Sequence, residues 1–459
     1  MERINAWTTY DENQLSELEE ICKGYRNFLD AGKTERTCVK EIIRQAQAHG
    51  YRELSALAKE KTVLKAGDKV YRVCMNKTVV MFEIGEKPLS EGMNILGAHI
   101  DSPRLDVKQN PLYENGDFAY LDTHYYGGIK KYQWVALPLA MYGVICKKNG
   151  EVVEVAIGDK EDDPVFFVSD LLIHLAQEQM EKKANKVIEG ENLDIVFGNK
   201  KLDGKDKDAV KDGVLQILRS MYDMSEEDFL SAELEIVPAG AARDAGIDRS
   251  MIMAYGQDDR VCAYTSLLAM LTQPAGEKTT CCLLTDKEEI GSVGATGMRS
   301  MFFENSVCEL MDAMGCFSEL ALRRCLSNSS MLSSDVNAAY DPMFASAFDK
   351  NNASYFGRGM VFSKFTGSRG KSGSNDANAE YIARIRRIMD DNHICYQTAE
   401  LGKVDVGGGG TIAYILSLYG MEVIDCGVAV LNMHAPWEVT SKADVYEAVK
   451  GYRVFLRHA

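Results

Sequence analysis

The six residues Thr279-Thr280-Cys281-Cys282-Leu283-Leu284 run straight into Thr285-Asp286-Lys287-Glu288-Glu289-Ile290-Gly291-Ser292. A short apolar, β-branched run bounded by turn residues predicts a buried strand of a sheet covered on both faces. Two adjacent carboxylates therefore stand where a strand ends. Neighbouring side chains of a regular strand point to opposite faces, so Glu288 and Glu289 serve one cleft only if the backbone leaves the pleat there. Gly291, Gly294 and Gly297 supply that freedom. Glu-Glu is common in a chain with 68 acidic residues, and Glu19-Glu20 and Glu226-Glu227 read as solvated helix surface. Position, not adjacency, marks the later pair, because open α/β sheets bind ligands beyond the carboxyl ends of their strands.

The same grammar recurs along the chain. Val70 to Ile84 alternates as strands do, and Asn94-Ile95-Leu96-Gly97-Ala98 ends at His99-Ile100-Asp101-Ser102-Pro103-Arg104. Before it, Leu15, Leu18, Ile21, Cys22, Tyr25, Phe28 and Leu29 mark one helical face, with Asp11 as N-cap and Gln14 three residues on. A second helix carries Val39, Ile42, Ile43 and Ala46 inward and stops at Gly50. From Ile247 the pattern is again α/β: a helix over 260–271, the strand at Thr279, a helix over 317–325, a strand at Met331-Leu332, a helix over 379–390 and a strand over 421–426. Between them, residues 105–245 are strand-rich, with a hairpin signal at Asn149-Gly150, a long helix expected over 170–186 and a charged loop over 199–208. The fold class is thus α/β, a mixed central sheet flanked by helices, with 1–104 and 246–459 forming one discontinuous domain and 105–245 an inserted, mostly β domain.

The chain has 459 residues, ample for two cores, and a formal net charge of -16, which speaks against nucleic acid or an anionic membrane surface as partner. Its twelve cysteines show no Cys-x-x-Cys spacing, as expected of a reduced, cytoplasmic setting. Met1-Glu2-Arg3-Ile4-Asn5 opens no apolar leader, and nowhere do about eighteen apolar residues run together, so neither secretion nor membrane anchoring is expected.

Strand ends and loops present His99 and Asp101, Asp258 and Asp259, Glu288 and Glu289, Asp335, and His434. Two imidazoles with several carboxylates suit zinc, manganese or cobalt rather than calcium. Either histidine alone reads as a hydrogen-bonded interior residue. Together, the groups can converge on one rim of a sheet and hold two divalent ions, with Glu288-Glu289 dividing the tasks of base and ligand. A rival reading uses Val406-Gly407-Gly408-Gly409-Gly410-Thr411-Ile412-Ala413, which loosely fits a dinucleotide fingerprint with Asp425 at a tolerable distance, and would make the chain a nicotinamide-dependent oxidoreductase. The same run also reads as a tight turn with close backbone packing. As a third possibility, its Gly409 and Gly410 amides hold a substrate carbonyl or carboxylate during hydrolysis.

Five stretches resemble the aspartyl aminopeptidase family of metallopeptidases, which includes vacuolar aminopeptidase I. They are Gly97-Ala98-His99-Ile100-Asp101-Ser102-Pro103-Arg104, Tyr255-Gly256-Gln257-Asp258-Asp259-Arg260, Asp286-Lys287-Glu288-Glu289-Ile290-Gly291-Ser292, Ser333-Ser334-Asp335-Val336-Asn337 and Asn432-Met433-His434-Ala435-Pro436, in the family's order. The resemblance implies a dinuclear metal-dependent aminopeptidase acting on peptides with a free N-terminus. It implies a zinc-peptidase-like catalytic domain, an inserted dimerisation domain and a homo-oligomer, a dodecamer. By position, Asp258 bridges two ions, His99 and Asp335 complete one site, Glu289 and His434 the other. Glu288 becomes the general base and Asp101 orients His99. Lys371 and Tyr381 resemble residues near the family's substrate, with Lys364 competing with Lys371, and His174 resembles one that reaches a neighbouring subunit's site. Members selective for acidic first residues have a histidine where this chain has Ala338. A non-enzymatic assembly of the same fold is the remaining alternative.

Overall fold

The computed structural model describes residues 4–273 and 276–459. Residues 1–3, where the segment read for a leader begins, lie outside them. By its contacts the chain divides into two compact units, Met1–Asp101 with Ala242–Met433 and Glu438–Ala459, and Ser102–Ala241 with His434–Trp437.

The first unit is built on a nine-stranded sheet. Its strands are β1 (Arg52–Glu53), β2 (Lys69–Cys74), β3 (Thr78–Glu83), β4 (Met93–His99), β5 (Thr279–Thr285), β6 (Ser330–Ser334), β7 (Met360–Ser363), β8 (Tyr396–Thr398) and β9 (Glu422–Gly427). They lie in the order β1-β2-β3-β5-β4-β6-β9-β7-β8. The run β5-β4-β6-β9 is parallel throughout, with His99 level with Thr285 and Ser334 with Cys426. Parallel neighbours in step end at one edge, so whatever follows His99, Thr285 and Ser334 emerges on one rim.

Alternation along these strands makes two cores. Leu96, Ala98, Cys282, Leu284, Leu332 and Ile424 join one cluster, while Ile95, Cys281, Leu283, Met331 and Val423 join the other. Covering helices are α1 (Glu12–Ala31), α2 (Glu35–Ala48), α3 (Gln257–Thr272), α4 (Phe302–Ala313), α5 (Glu319–Ser327), α6 (Ala379–Asp391) and α7 (Lys442–His458). Residues of α1, α2, α3, α6 and α7 belong to the first cluster and those of α4 and α5 to the second. At the start of α1, Asp11 accepts from the Gln14 amide at 2.9 Å and the Gln14 side chain returns the bond at 3.0 Å, the capping box its spacing predicts.

The second unit is an antiparallel sheet of Arg104–Asn115, Phe118–Tyr126, Leu139–Cys146, Val152–Ile157, Ile195–Gly198 and Ala232–Pro238. The Asn149-Gly150 turn joins Leu139–Cys146 to Val152–Ile157, with Gly150 at φ 90°. One expectation fails. Over 170–186 there is no long helix, only a 3₁₀ turn at Ile173–Leu175, a four-residue helix at Gln177–Met180 and a further turn at Ala184–Lys186. Leu171, Leu172, Ile173 and Leu175 are exposed, so the apolar face that suggested a packed helix finds nothing within the described residues to bury against.

Candidate active site

β4 delivers His99 to the rim. Its Nδ1 lies 3.1 Å from the Asp101 carbonyl and 3.2 Å from Asp101 Oδ1, while Nε2 lies 3.2 Å from Asp258 Oδ1. With a cation bound and the proton on Nδ1, shared with Asp101, the Nε2 lone pair would face the ion, the tautomer a metal ligand needs. Glu288 and Asp335 each bring an oxygen to 3.9 Å from the same Nε2.

The adjacent glutamates share this rim because the chain breaks its pleat just after β5. Lys287 has φ 69° and Gly291 φ 93°, and between them Glu288–Ile290 forms a single 3₁₀ turn. The break thus begins one residue before the pair, at a lysine held in the left-handed region, and not only at the glycines behind it. Asp101 secures the turn from below: its carboxylate accepts the Glu288 N–H at 3.1 Å and the Glu289 N–H at 3.2 Å. One buried side chain therefore orients both the imidazole and the glutamate turn.

Asp258 arrives from a different element. Gly256, at φ 71°, turns the chain into α3, and Asp258 and Asp259 lack helical angles there. Gln257 donates to the carbonyls of Ile252 (3.1 Å) and Glu438 (2.6 Å), and the Asp258 N–H donates to the Glu438 carboxylate at 3.0 Å. Asp335 follows β6 directly, its N–H donating to the Cys426 carbonyl at 3.2 Å. Asp259, fully buried, accepts the His99 N–H at 3.3 Å.

So many carboxylates in one dry place repel each other. Burial first, then the charges of Glu288 and Asp259, push the Asp335 carboxyl well above the usual range, and burial does the same to Asp259. Burial opposes charging His99, yet its contacts with Asp101 and Asp258 outweigh this and hold the ring above its ordinary value. A cation among them would offset that repulsion. One ligand atom each from His99, Asp258 and Glu289 lie within 4.8 Å of one another, as do those from His99, Glu288 and Asp335. This mixed nitrogen and oxygen set suits zinc.

The other sequence candidates stand on separate segments. His434 falls in the second unit, its Nδ1 2.8 Å from the Gly128 carbonyl. His174 is exposed on the 3₁₀ turn. Lys371 is 44% exposed and reaches Asp376 at 3.0 Å. Tyr381 is 2% exposed and donates its hydroxyl to the Met331 carbonyl at 2.9 Å, so it packs the core and presents no group to a substrate. The glycine run opens only the five-residue helix Ala413–Ser417. A Cβ at Gly407 or Gly408 would meet the carbonyl oxygens of Leu401 and Gly367 at 2.0 and 1.9 Å, and Asp425 is buried. The backbone thus packs tightly there and the carboxylate that a ribose would need is enclosed, which removes the dinucleotide reading. Gly409 and Gly410 keep open space beside them, apart from the Gly373 carbonyl, which a Cβ at Gly410 would meet at 3.5 Å. Sequence reasoning missed Glu438, which no apolar run delivers to the rim.

A family model described as "Aminopeptidase I zinc metalloprotease (M18)" matches residues 28–456. A relative from Clostridium acetobutylicum, named a probable M18 family aminopeptidase 1, is 60% identical over 99% of this chain and 98% of its own length. The solved M18 aminopeptidase of Thermotoga maritima superimposes with a TM-score of 0.95 at 44% identity, covering 100% of both chains. A solved mApe1 dodecamer of S. cerevisiae, at 21% identity and TM-score 0.77 over 95% of this chain and 96% of that one, shares the fold.

Proposed function

Since the chain belongs to the M18 family of zinc aminopeptidases, we propose that it holds two divalent ions, zinc in the first instance with manganese and cobalt as alternatives, and removes N-terminal residues from peptides. The observation that carries this reading is the convergence on His99 Nε2 of Asp258, Glu288 and Asp335, with Asp101 fixing ring and glutamate turn together. Asp258 is the shared ligand, His99 and Asp335 complete one site, and Glu289 belongs to the other, for which the resemblance also implies His434. When bound, the ions polarise the scissile carbonyl and acidify water.

Glu288 accepts the proton of the attacking water and returns it to the departing amine, so one carboxylate serves both halves of hydrolysis. Asp101 keeps Glu288 aimed through its backbone N–H. The Gly409 and Gly410 amides hold a substrate carbonyl, and Lys371 pairs with an acidic first side chain, the substrate class the resemblance suggests. Ala338, where acid-selective relatives carry histidine, speaks against acidic selectivity and leaves a lysine alone, Lys371 or Lys364, to provide it.

The second unit serves dimerisation within a cytoplasmic dodecamer. Its exposed Leu171, Leu172, Ile173 and Leu175 support a subunit contact, beside which His174 reaches a neighbouring copy's site. No helix among the described residues is long and apolar enough to cross a membrane.

A panel of aminoacyl substrates, run with and without chelator and re-added zinc, manganese or cobalt, tests the reading. Activity should vanish with chelator and return with metal, and Glu288→Gln should lose about 10²–10⁴-fold in kcat while retaining its ions. Full activity in either the chelated protein or the Glu288→Gln variant would reject it.

A further inference from the structure

Two loops of the first unit are stitched together beyond the ends of β7 and β8. The Gly367 N–H donates to the Gly409 carbonyl at 2.5 Å, while within the first loop the Thr366 N–H donates to Ser374 Oγ at 2.9 Å. With the Gly408 backbone pressed against Gly367, the glycine run and the loop carrying Lys371 cannot shift independently. What ties this pair to the sheet is the residue that ends the run. The Thr411 hydroxyl donates to Asp425 Oδ1 in β9, and Asp425 lies level with Ser333, two residues before Asp335, on the adjoining strand.

Asp425 is costly where it stands. It is 2% exposed, its Oδ2 is buried without a hydrogen bond among the described residues, and burial lifts its carboxyl to about 7, with the Glu288 charge adding to the rise. A buried, half-satisfied carboxylate on the strand next to a catalytic one needs a use.

We propose that Asp425 and Thr411 form a positioning clamp that holds the glycine run, and through it the Lys371 loop, in register with the strands bearing the catalytic carboxylates, and that discrimination between first residues depends on this clamp. The inference rests on reading those two loops as the substrate wall. Neither residue touches the reacting atoms. Releasing the clamp leaves the His99 cluster intact and loosens only the wall, so substrate affinity falls while chemistry on bound substrate continues.

The test is steady-state kinetics on Asp- and Leu-initiated peptides with the zinc-loaded full chain. Thr411→Val, near in shape but without the hydroxyl, should raise KM about tenfold, the loss of one hydrogen bond of about 1.4 kcal/mol, and draw the two substrates' kcat/KM values together. Its kcat and zinc content should stay within about twofold, and Thr411→Ser should restore KM. Thr411→Val combined with Asp425→Ala should be no worse than the poorer single variant, because both remove one contact. An unchanged KM in Thr411→Val, additive losses in the double variant, or a parallel fall of kcat and zinc content would each overturn the clamp. Should Thr411→Val fail to fold, Thr411→Ala reads the same quantities. A wild-type chain inactive on both peptides would instead reject the aminopeptidase site, so the two failures are distinct.

Discussion

The strand-end rim and the loops over 364–376 and 399–411 handle polar groups in opposite ways. On the rim, His99, Asp258 and Asp335 come from three separate segments and are nearly enclosed, and burial together with neighbouring charges shifts His99 and Asp335. On the loops, Lys371 is half-exposed and paired with Asp376 five residues away in the same loop. Parallel strands fix position to a fraction of an ångström, whereas loops leave side chains adaptable. Chemistry is therefore assigned to the sheet and choice of substrate to the loops, with Thr411 and Asp425 joining the two.

Variants on either side probe that division. The largest effect is expected at Asp101: Asp101→Ala frees both the imidazole and the glutamate turn, and should weaken zinc binding about 10–100-fold by competition with a fluorescent chelator. Unchanged affinity would mean the rim does not depend on its orienting carboxylate. At the loop, Lys371→Ala should lower the ratio of Asp to Leu cleavage several-fold without changing zinc affinity, since an exposed cation contributes little beyond its partner. An unaltered ratio removes Lys371 from substrate recognition.

The smallest effect concerns stability. Asp425, raised to about 7 in the folded chain from an ordinary value near 3.9, binds its proton more tightly folded than unfolded. Its contribution is full below about pH 4 and lost as pH rises through 7. Metal-free protein should therefore melt at lower temperature at pH 8 than at pH 5, and Asp425→Asn should shrink that difference by a few degrees. Asp444, lifted by burial to about 8 and accepting from Gly357 and Gly359, acts in the same sense, so the slope should not vanish. An identical slope in Asp425→Asn would place this carboxylate among freely solvated groups.

What was legible in the sequence follows the same division. Short apolar runs ending in polar residues gave β4, β5 and β6 and the cluster beyond them, because a buried parallel strand has a composition of its own. The capping box at Asp11 was legible for a similarly local reason. In contrast, α7 is absent from the sequence reading although its polar residues recur at helical spacing, and the burial of Lys442, Asp444 and Glu447 within it is not legible from composition. Leu171 to Leu175 misled in the other direction, since an apolar stretch reads as core whether or not the same chain supplies a partner. Tyr381 enters by resemblance alone, and a resemblance does not reveal which way a helix faces. The left-handed Lys287 and the reach of Glu438 to the Asp258 N–H depend on segments far apart in sequence, which no local pattern encodes.

Anomalous diffraction at the zinc edge, from crystals of the zinc-loaded chain, addresses the dinuclear rim most directly. Two peaks about 3.5–4 Å apart, both in contact with Asp258 and one with His99 and Asp335, are the predicted result. A single peak, or peaks that touch none of these side chains, would contradict it.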